Sequence, residues 1–183
     1  QLGDQEGPIL AMAKPVTKFA ASVGSPEALT QLLPAALREA TGGRPGPVWL
    51  DIPSDVQAAE CPPLPAVQPT SRPDSPSLKK DCARIQALLA QANRPLIVAG
   101  TGIRLAGAEQ ALLDFAEQHG IPVATAWTHD LIASDHPLFA GRPGTIGTRA
   151  GNFCTQNADL VLVVGSRLNI RQVSYNWSSF AKN

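Results

Sequence analysis

The chain has 183 residues, 44% of them apolar, which is enough to build a real core, and its 15 basic side chains balance 15 acidic ones. A balanced charge gives no net field to draw the chain onto nucleic acid or a membrane surface, and there is neither an apolar run near about twenty residues nor a signal-peptide pattern. Cys61, Cys82 and Cys154 are odd in number and widely spaced, which argues against a disulfide framework or a zinc site and makes a reducing cytoplasm the expected setting.

In chain order, Val16 to Ala20 reads as a short strand. Ser25 is then placed as an N-cap and Pro26 at the first helical position, before Leu29, Leu32, Leu33, Ala36, Leu37 and Ala40 at helical spacing. Gly42 and Gly43 end that helix. The run Val48 to Ile52, bounded by Pro47 and Pro53, barely alternates and is expected to be a strand buried on both faces. These elements are too few to enclose a core, so the stretch looks like the remnant of a larger domain, cut from a longer protein. Cys61 to Pro76 carries six prolines in sixteen residues and reads as an extended, semi-rigid linker. The expected organisation is a remnant over 1–57, a linker over 58–76 and a second domain over 77–183.

The second domain is more regular. Ser75 and Pro76 open a helix that places Leu78, Cys82, Ile85, Leu88, Leu89 and Ala92 on one face. "RPLIVAGTG" is a strand ending in glycines, and Ala108 to His119 is a helix with Leu112, Phe115 and Ala116 inward. "IPVATAW" and "ADLVLVVGSRL" supply two more strands. Strands joined by helical crossovers run parallel, so the fold class is α/β, a doubly wound parallel sheet with helices on both faces.

Ligands of such sheets bind beyond the carboxyl ends of the strands. Gly100-Thr101-Gly102, the "TAWTHD" run from Thr125 and Gly165-Ser166-Arg167 leave strands at that edge. Glycines there can let backbone N–H groups approach a phosphate, or they can simply make tight turns. The dinucleotide fingerprint is incomplete, since Leu105 stands where its third glycine belongs and Gly107 comes two positions late. "GRPGTIGTRAGNF", Gly141 to Phe153, is a glycine-rich loop leading into a helix, either around a nucleotide or as a loop steadied by a neighbouring domain. Arg167 and Arg171 can pair with phosphate or form internal salt bridges. His119 and His136 read as structural and His129 as a surface residue, and no nucleophile and base, carboxylate pair or metal-ligand cluster has convincing spacing.

Taken in order, "KPVTKFAASVGSPEALTQLLPAALREATGGRPGPVWLDIPSDVQ", "RPLIVAGTGIRLAGA", "IPVATAW", "DHPLFAGRPGTIGTRAGN" and "NADLVLVVGSRLNIR" resemble thiamine diphosphate enzymes of the acetolactate synthase type. The first segment is similar to the end of their N-terminal, pyrimidine-binding domain and the rest to most of their central domain. The resemblance implies a parent enzyme, a homodimer or homotetramer, that uses thiamine diphosphate and Mg²⁺ to decarboxylate a 2-keto acid and transfer the fragment to a carbonyl acceptor. It places the residues that activate the cofactor and hold the metal outside this chain, so the chain alone is expected to be inactive. For the central domain it implies FAD in a structural role, or, as in a decarboxylase-like relative, ADP or a non-catalytic scaffold that binds nothing. The matching positions are Gly100, Thr101, Gly102, Thr125, Ala126, Gly144, Gly147, Gly165, Ser166, Arg167 and Arg171. Two departures stand out: Thr145 and Ile146 where the flavin enzymes tend to have Met-His, and Asn169 and Ile170 where they have two acidic residues.

Overall fold

A computed structural model describes residues 7–66, 75–125 and 130–182. The chain divides into two compact units, Gln1–Asp74 and Ser75–Asn183.

In the first unit, helix α1 (Ile9–Ala13) and a 3₁₀ turn (Lys14–Val16) lead into strand β1 (Phe19–Ser22). Helix α2 (Pro26–Thr41) connects it to strand β2 (Val48–Asp51), and helix α3 (Ser54–Ala58) follows. β1 and β2 form a two-stranded parallel sheet that pairs Phe19 with Val48 and Ser22 with Asp51. The first strand thus starts three residues later than expected, because the segment through Pro15 and Val16 winds into the 3₁₀ turn. Nor is β2 buried on both faces. Trp49 keeps 42% of its surface exposed, since a single layer of helix on two strands covers one face.

α2 begins as its sequence dictates. The Ser25 hydroxyl accepts from the Ala28 N–H at 3.2 Å, and Pro26 occupies the first turn, where no donor is missed. The Glu27 carboxyl lies below its ordinary range, held there by a backbone N–H and then by the Ser25 hydroxyl. The other end is closed by Lys18. Its ammonium donates to the carbonyls of Gly42 at 2.7 Å, Arg44 at 3.1 Å and Glu39, satisfying acceptors that the last helical turn leaves open and placing a cation at its negative end.

In the second unit, helix α4 (Leu78–Gln91) precedes strand β3 (Pro95–Ala99). The short helix α5 (Thr101–Leu105) and helix α6 (Glu109–His119) lead to strand β4 (Val123–Thr125). Strand β5 (Phe139–Gly141), helix α7 (Arg149–Asn157), strand β6 (Leu160–Val164) and helix α8 (Ile170–Val173) complete it. All strand pairs are parallel, in the order β5-β4-β3-β6.

Alternate residues of β3 feed two cores. Ile97 and Ala99 pack with Leu112, Ala116 and Ile121 beneath α6, whereas Leu96 and Val98 pack with Ala124, Ala140 and Ala158 on the side of α7. Helices therefore lie on both faces, as the fold class requires. α4 departs from expectation: Leu78, Ile85 and Leu88 remain 36–56% exposed and Cys82 is exposed, while Leu89 and Ala92 are partly buried. The amphipathic pattern correctly marks a helix, but most of its apolar face is uncovered within this unit.

Asp159 ties the amino end of the sheet. Its carboxylate accepts from the N–H groups of Asn93 and Arg94, both at 2.8 Å, while the Arg94 guanidinium donates to the Asn157 carbonyl at 2.8 Å. The backbone bond from Arg94, outweighing the opposing effect of burial, holds the Asp159 carboxyl below its ordinary range. A lowered folded-state pKa stabilises above the unfolded value and is lost as pH falls through the folded one. Acid should accordingly erode the stability of the second unit, and Asp159→Asn should remove part of that slope. Urea melts of both proteins across the carboxylate range check this; parallel pH profiles would refute it.

Candidate functional site

β3 lies inside the sheet although it comes first in the second unit. The chain moves outward through β4 and β5, then returns to place β6 on the other side of β3. The connection leaving β3 runs to β4 on one side, whereas β6 is reached from β5 and lies on the other. The strand order thus reverses between β3 and β6, and doubly wound sheets bind ligands beyond the carboxyl ends of the strands at such a place.

Here backbone meets backbone at that point. A Cβ added to Gly100 would lie 2.5 Å from the Gly165 carbonyl oxygen and 2.6 Å from the Ser166 Cα. One added to Gly102 would lie 2.7 Å from the Gly165 Cα, and one added to Gly165 would lie 2.6 Å from the Ile103 nitrogen. The two turns are also hydrogen-bonded: Gly100 N–H donates to the Val164 carbonyl at 2.9 Å and Gly102 N–H to the Gly165 carbonyl at 2.8 Å.

The glycine-rich loop after β5 is equally self-contained. Gly144 N–H donates to the Asn152 side-chain oxygen at 2.8 Å, and the Asn152 amide returns a bond to the Gly144 carbonyl at 3.1 Å. Gly147 N–H donates to the Gly144 carbonyl at 3.0 Å, and Thr148 N–H to the Arg142 carbonyl at 2.8 Å. The Thr148 hydroxyl caps α7 by accepting from Gly151 N–H at 3.0 Å and also accepts from Arg142 N–H at 3.1 Å. Thr145 N–H donates to the Arg171 carbonyl at 2.8 Å, joining the loop to α8.

Of the residues singled out in the sequence, Gly100, Thr101, Gly102, Gly165 and Ser166 meet at the switch point. Gly144 joins Arg171 and Gln172 through backbone contacts. Thr125 ends β4 fully buried, with no partner for its hydroxyl among the described residues; Ala126 and His129 lie outside them. Arg167 and Arg171 are exposed, and their guanidinium groups have no ion pair or hydrogen bond among the described residues. His119 packs on Phe115 with ring centroids 4.6 Å apart, and His136 bonds to Glu117 at 3.0 Å.

Gln172 was not visible in the sequence. It is 4% exposed, accepts from the Ser166 hydroxyl at 3.2 Å, and leaves its Nε2 without a partner among the described residues. It also lines a cleft of about 240 Å³ with Gly144, Thr145, Asn152, Thr155 and Phe180. Nothing in "NIRQVS" marks it as buried, because only the docking of α8 onto the glycine loop encloses it. Larger grooves, of about 590 and 370 Å³, lie at the opposite, amino ends of the strands around Asn93, Pro95 and Gly120. Among the described residues no His/Cys/Asp/Glu cluster could hold a metal, and no helix is long and apolar enough to cross a membrane.

Comparison with known families matches residues 82–183 to the central domain of thiamine pyrophosphate enzymes. The chain belongs to the thiamine pyrophosphate enzyme family. Similar members include the probable acetolactate synthase large subunit of Methanocaldococcus jannaschii, 35% identical over 174 residues, which are 91% of this chain and 29% of that protein. The acetolactate synthase large subunit of Corynebacterium glutamicum is 37% identical over 175 residues, 91% of this chain and 27% of that protein. Glyoxylate carboligase of Escherichia coli O157:H7 is 37% identical over 166 residues, 87% and 27% respectively. The chain spans less than a third of the length of these thiamine pyrophosphate enzymes.

Proposed function

We propose that this chain is part of a thiamine diphosphate-dependent enzyme that decarboxylates a 2-keto acid and transfers the fragment to a carbonyl acceptor. The supporting observation is the similarity to acetolactate synthases and a glyoxylate carboligase, which runs through both units and covers 87–91% of the chain. On this reading residues 1–57 end a pyrimidine-binding domain, 58–76 link the two units, and 77–183 form a central domain that supports the reacting parts of the protein. Thiamine diphosphate, Mg²⁺ and the 2-keto acid bind in those other parts, and the whole protein assembles as a homodimer or homotetramer. The chemistry is the cofactor's, and the chain alone has no turnover. The test is an assay of the chain within its whole protein with pyruvate, with and without thiamine diphosphate and Mg²⁺, and then with glyoxylate. Cofactor-dependent carbon dioxide release is expected; its absence with a panel of 2-keto acids would refute the proposal.

In a second reading the central domain holds FAD or ADP. Arg167 and Arg171 favour it: two exposed guanidinium groups without partners among the described residues stand just beyond β6, and such groups bind phosphate in pairs of hydrogen bonds. FAD held there would serve structure rather than redox chemistry. Calorimetric titration of the chain with FAD and with ADP, alongside Arg167→Ala, tests this reading. Loss of a charge-assisted contact should weaken binding by about tenfold or more, and an unchanged affinity would remove Arg167 from the site.

A further inference from the structure

We infer that the glycine loops at the carboxyl edge are a backbone interlock and not a phosphate cradle, so that a nucleotide diphosphate held on glycine amides does not fit this domain. A cradle needs two things: N–H groups pointing at the ligand, and open space where a side chain would otherwise stand. At Gly100, Gly102, Gly144 and Gly147 neither is present. The amides of Gly100, Gly102, Gly144 and Gly147 each donate to an acceptor of the same unit, as does that of Thr145. The space beside each glycine is taken by the unit's own backbone. A Cβ at Gly100, Gly102 or Gly165 would strike the facing turn, one at Gly144 would strike the Arg171 carbonyl, and one at Gly147 would strike the Arg142 carbonyl. Gly107, by contrast, has open space beside it, but it lies past α5 and away from the switch point.

The incomplete glycine fingerprint then has a physical reading: its glycines are required by the contact between the turns after β3 and β6, which a third glycine at position 105 would not improve. A nucleotide at this edge is gripped by side chains, Arg167 and Arg171 foremost. That last statement rests on the second reading above, whereas the interlock does not.

Amide hydrogen exchange of the full chain, resolved residue by residue by NMR, decides the matter without needing a bound ligand. Before any nucleotide is added, the amides of Gly100, Gly102, Gly144, Thr145 and Gly147 should exchange at least about tenfold more slowly than in an unstructured chain. Their rates and shifts should stay unchanged after ADP or FAD is added, even where Arg167 and Arg171 signals move. Fast exchange in the unliganded chain, or protection of these amides appearing only with nucleotide, would overturn the interlock. If neither nucleotide binds while the amides are protected, the interlock stands and only the second reading fails.

Discussion

Gly165→Ala is expected to cost the second unit a large part of its stability. Gly165 sits at φ +65°, where a Cβ costs on the order of 1–2 kcal/mol. The new methyl would also lie 2.6 Å from the Ile103 nitrogen and 3.0 Å from the Gly102 backbone. No flexible side chain can yield at those points, and forcing extra volume into a packed site costs roughly 1–3 kcal/mol more. The sum is a substantial fraction of the roughly 5–15 kcal/mol that holds a domain folded. Urea denaturation followed by circular dichroism measures it. A midpoint within error of the parent chain would mean that the turns after β3 and β6 are not in contact.

The second large effect is at Ile97, fully buried at the centre of β3 and paired with Val123 on one side and Leu162 on the other. Ile97→Ala removes buried methyl groups from a core that can collapse only in part, which should cost about 2–5 kcal/mol. Leu88→Ala makes the contrast. It removes a side chain of similar size from the apolar face of α4, but Leu88 is 45% exposed, so the change should stay within about 0.5 kcal/mol. Comparable losses at the two positions would show that the apolar face of α4 is covered in solution, by a neighbour or by a second chain.

That contrast also shows what a sequence can and cannot disclose. Periodicity reports that Leu78, Cys82, Ile85 and Leu88 share a face, and they do; whether anything covers the face depends on tertiary packing. β3 and β6 were legible because a run of branched apolar residues between turn signals has few other uses. β5 was not: its three residues, Phe139–Gly141, are too short to carry an alternation. α7 was legible only as the helix to which a glycine loop leads, and the Thr148 cap became apparent once Gly151 was seen to donate to it.

The glycines of the candidate site illustrate the same limit. Their identity and place at strand ends could be read directly, but what they accommodate depends on which strands are neighbours. Sequence offered two reasons for Gly100 and Gly102, a tight turn or close approach of a phosphate. The structure supplies a third, close approach of the turn that follows β6, some sixty-five residues later in the chain. Gln172 and Thr125 are harder still, since burial of a polar side chain leaves no local mark.

The strand order has a consequence for synthesis. A chain emerging amino end first delivers β3 early, and β4 can pair with one side of it once α6 has formed. Its other side has no partner until Leu160–Val164 emerge. For that interval a strand whose residues Leu96–Ala99 are buried in the finished unit presents an open hydrogen-bonding edge, the kind of template on which nascent chains stick to one another. Pausing or premature termination between α6 and β6 would therefore yield aggregates, and the last strand to be made acts as the guard on the first.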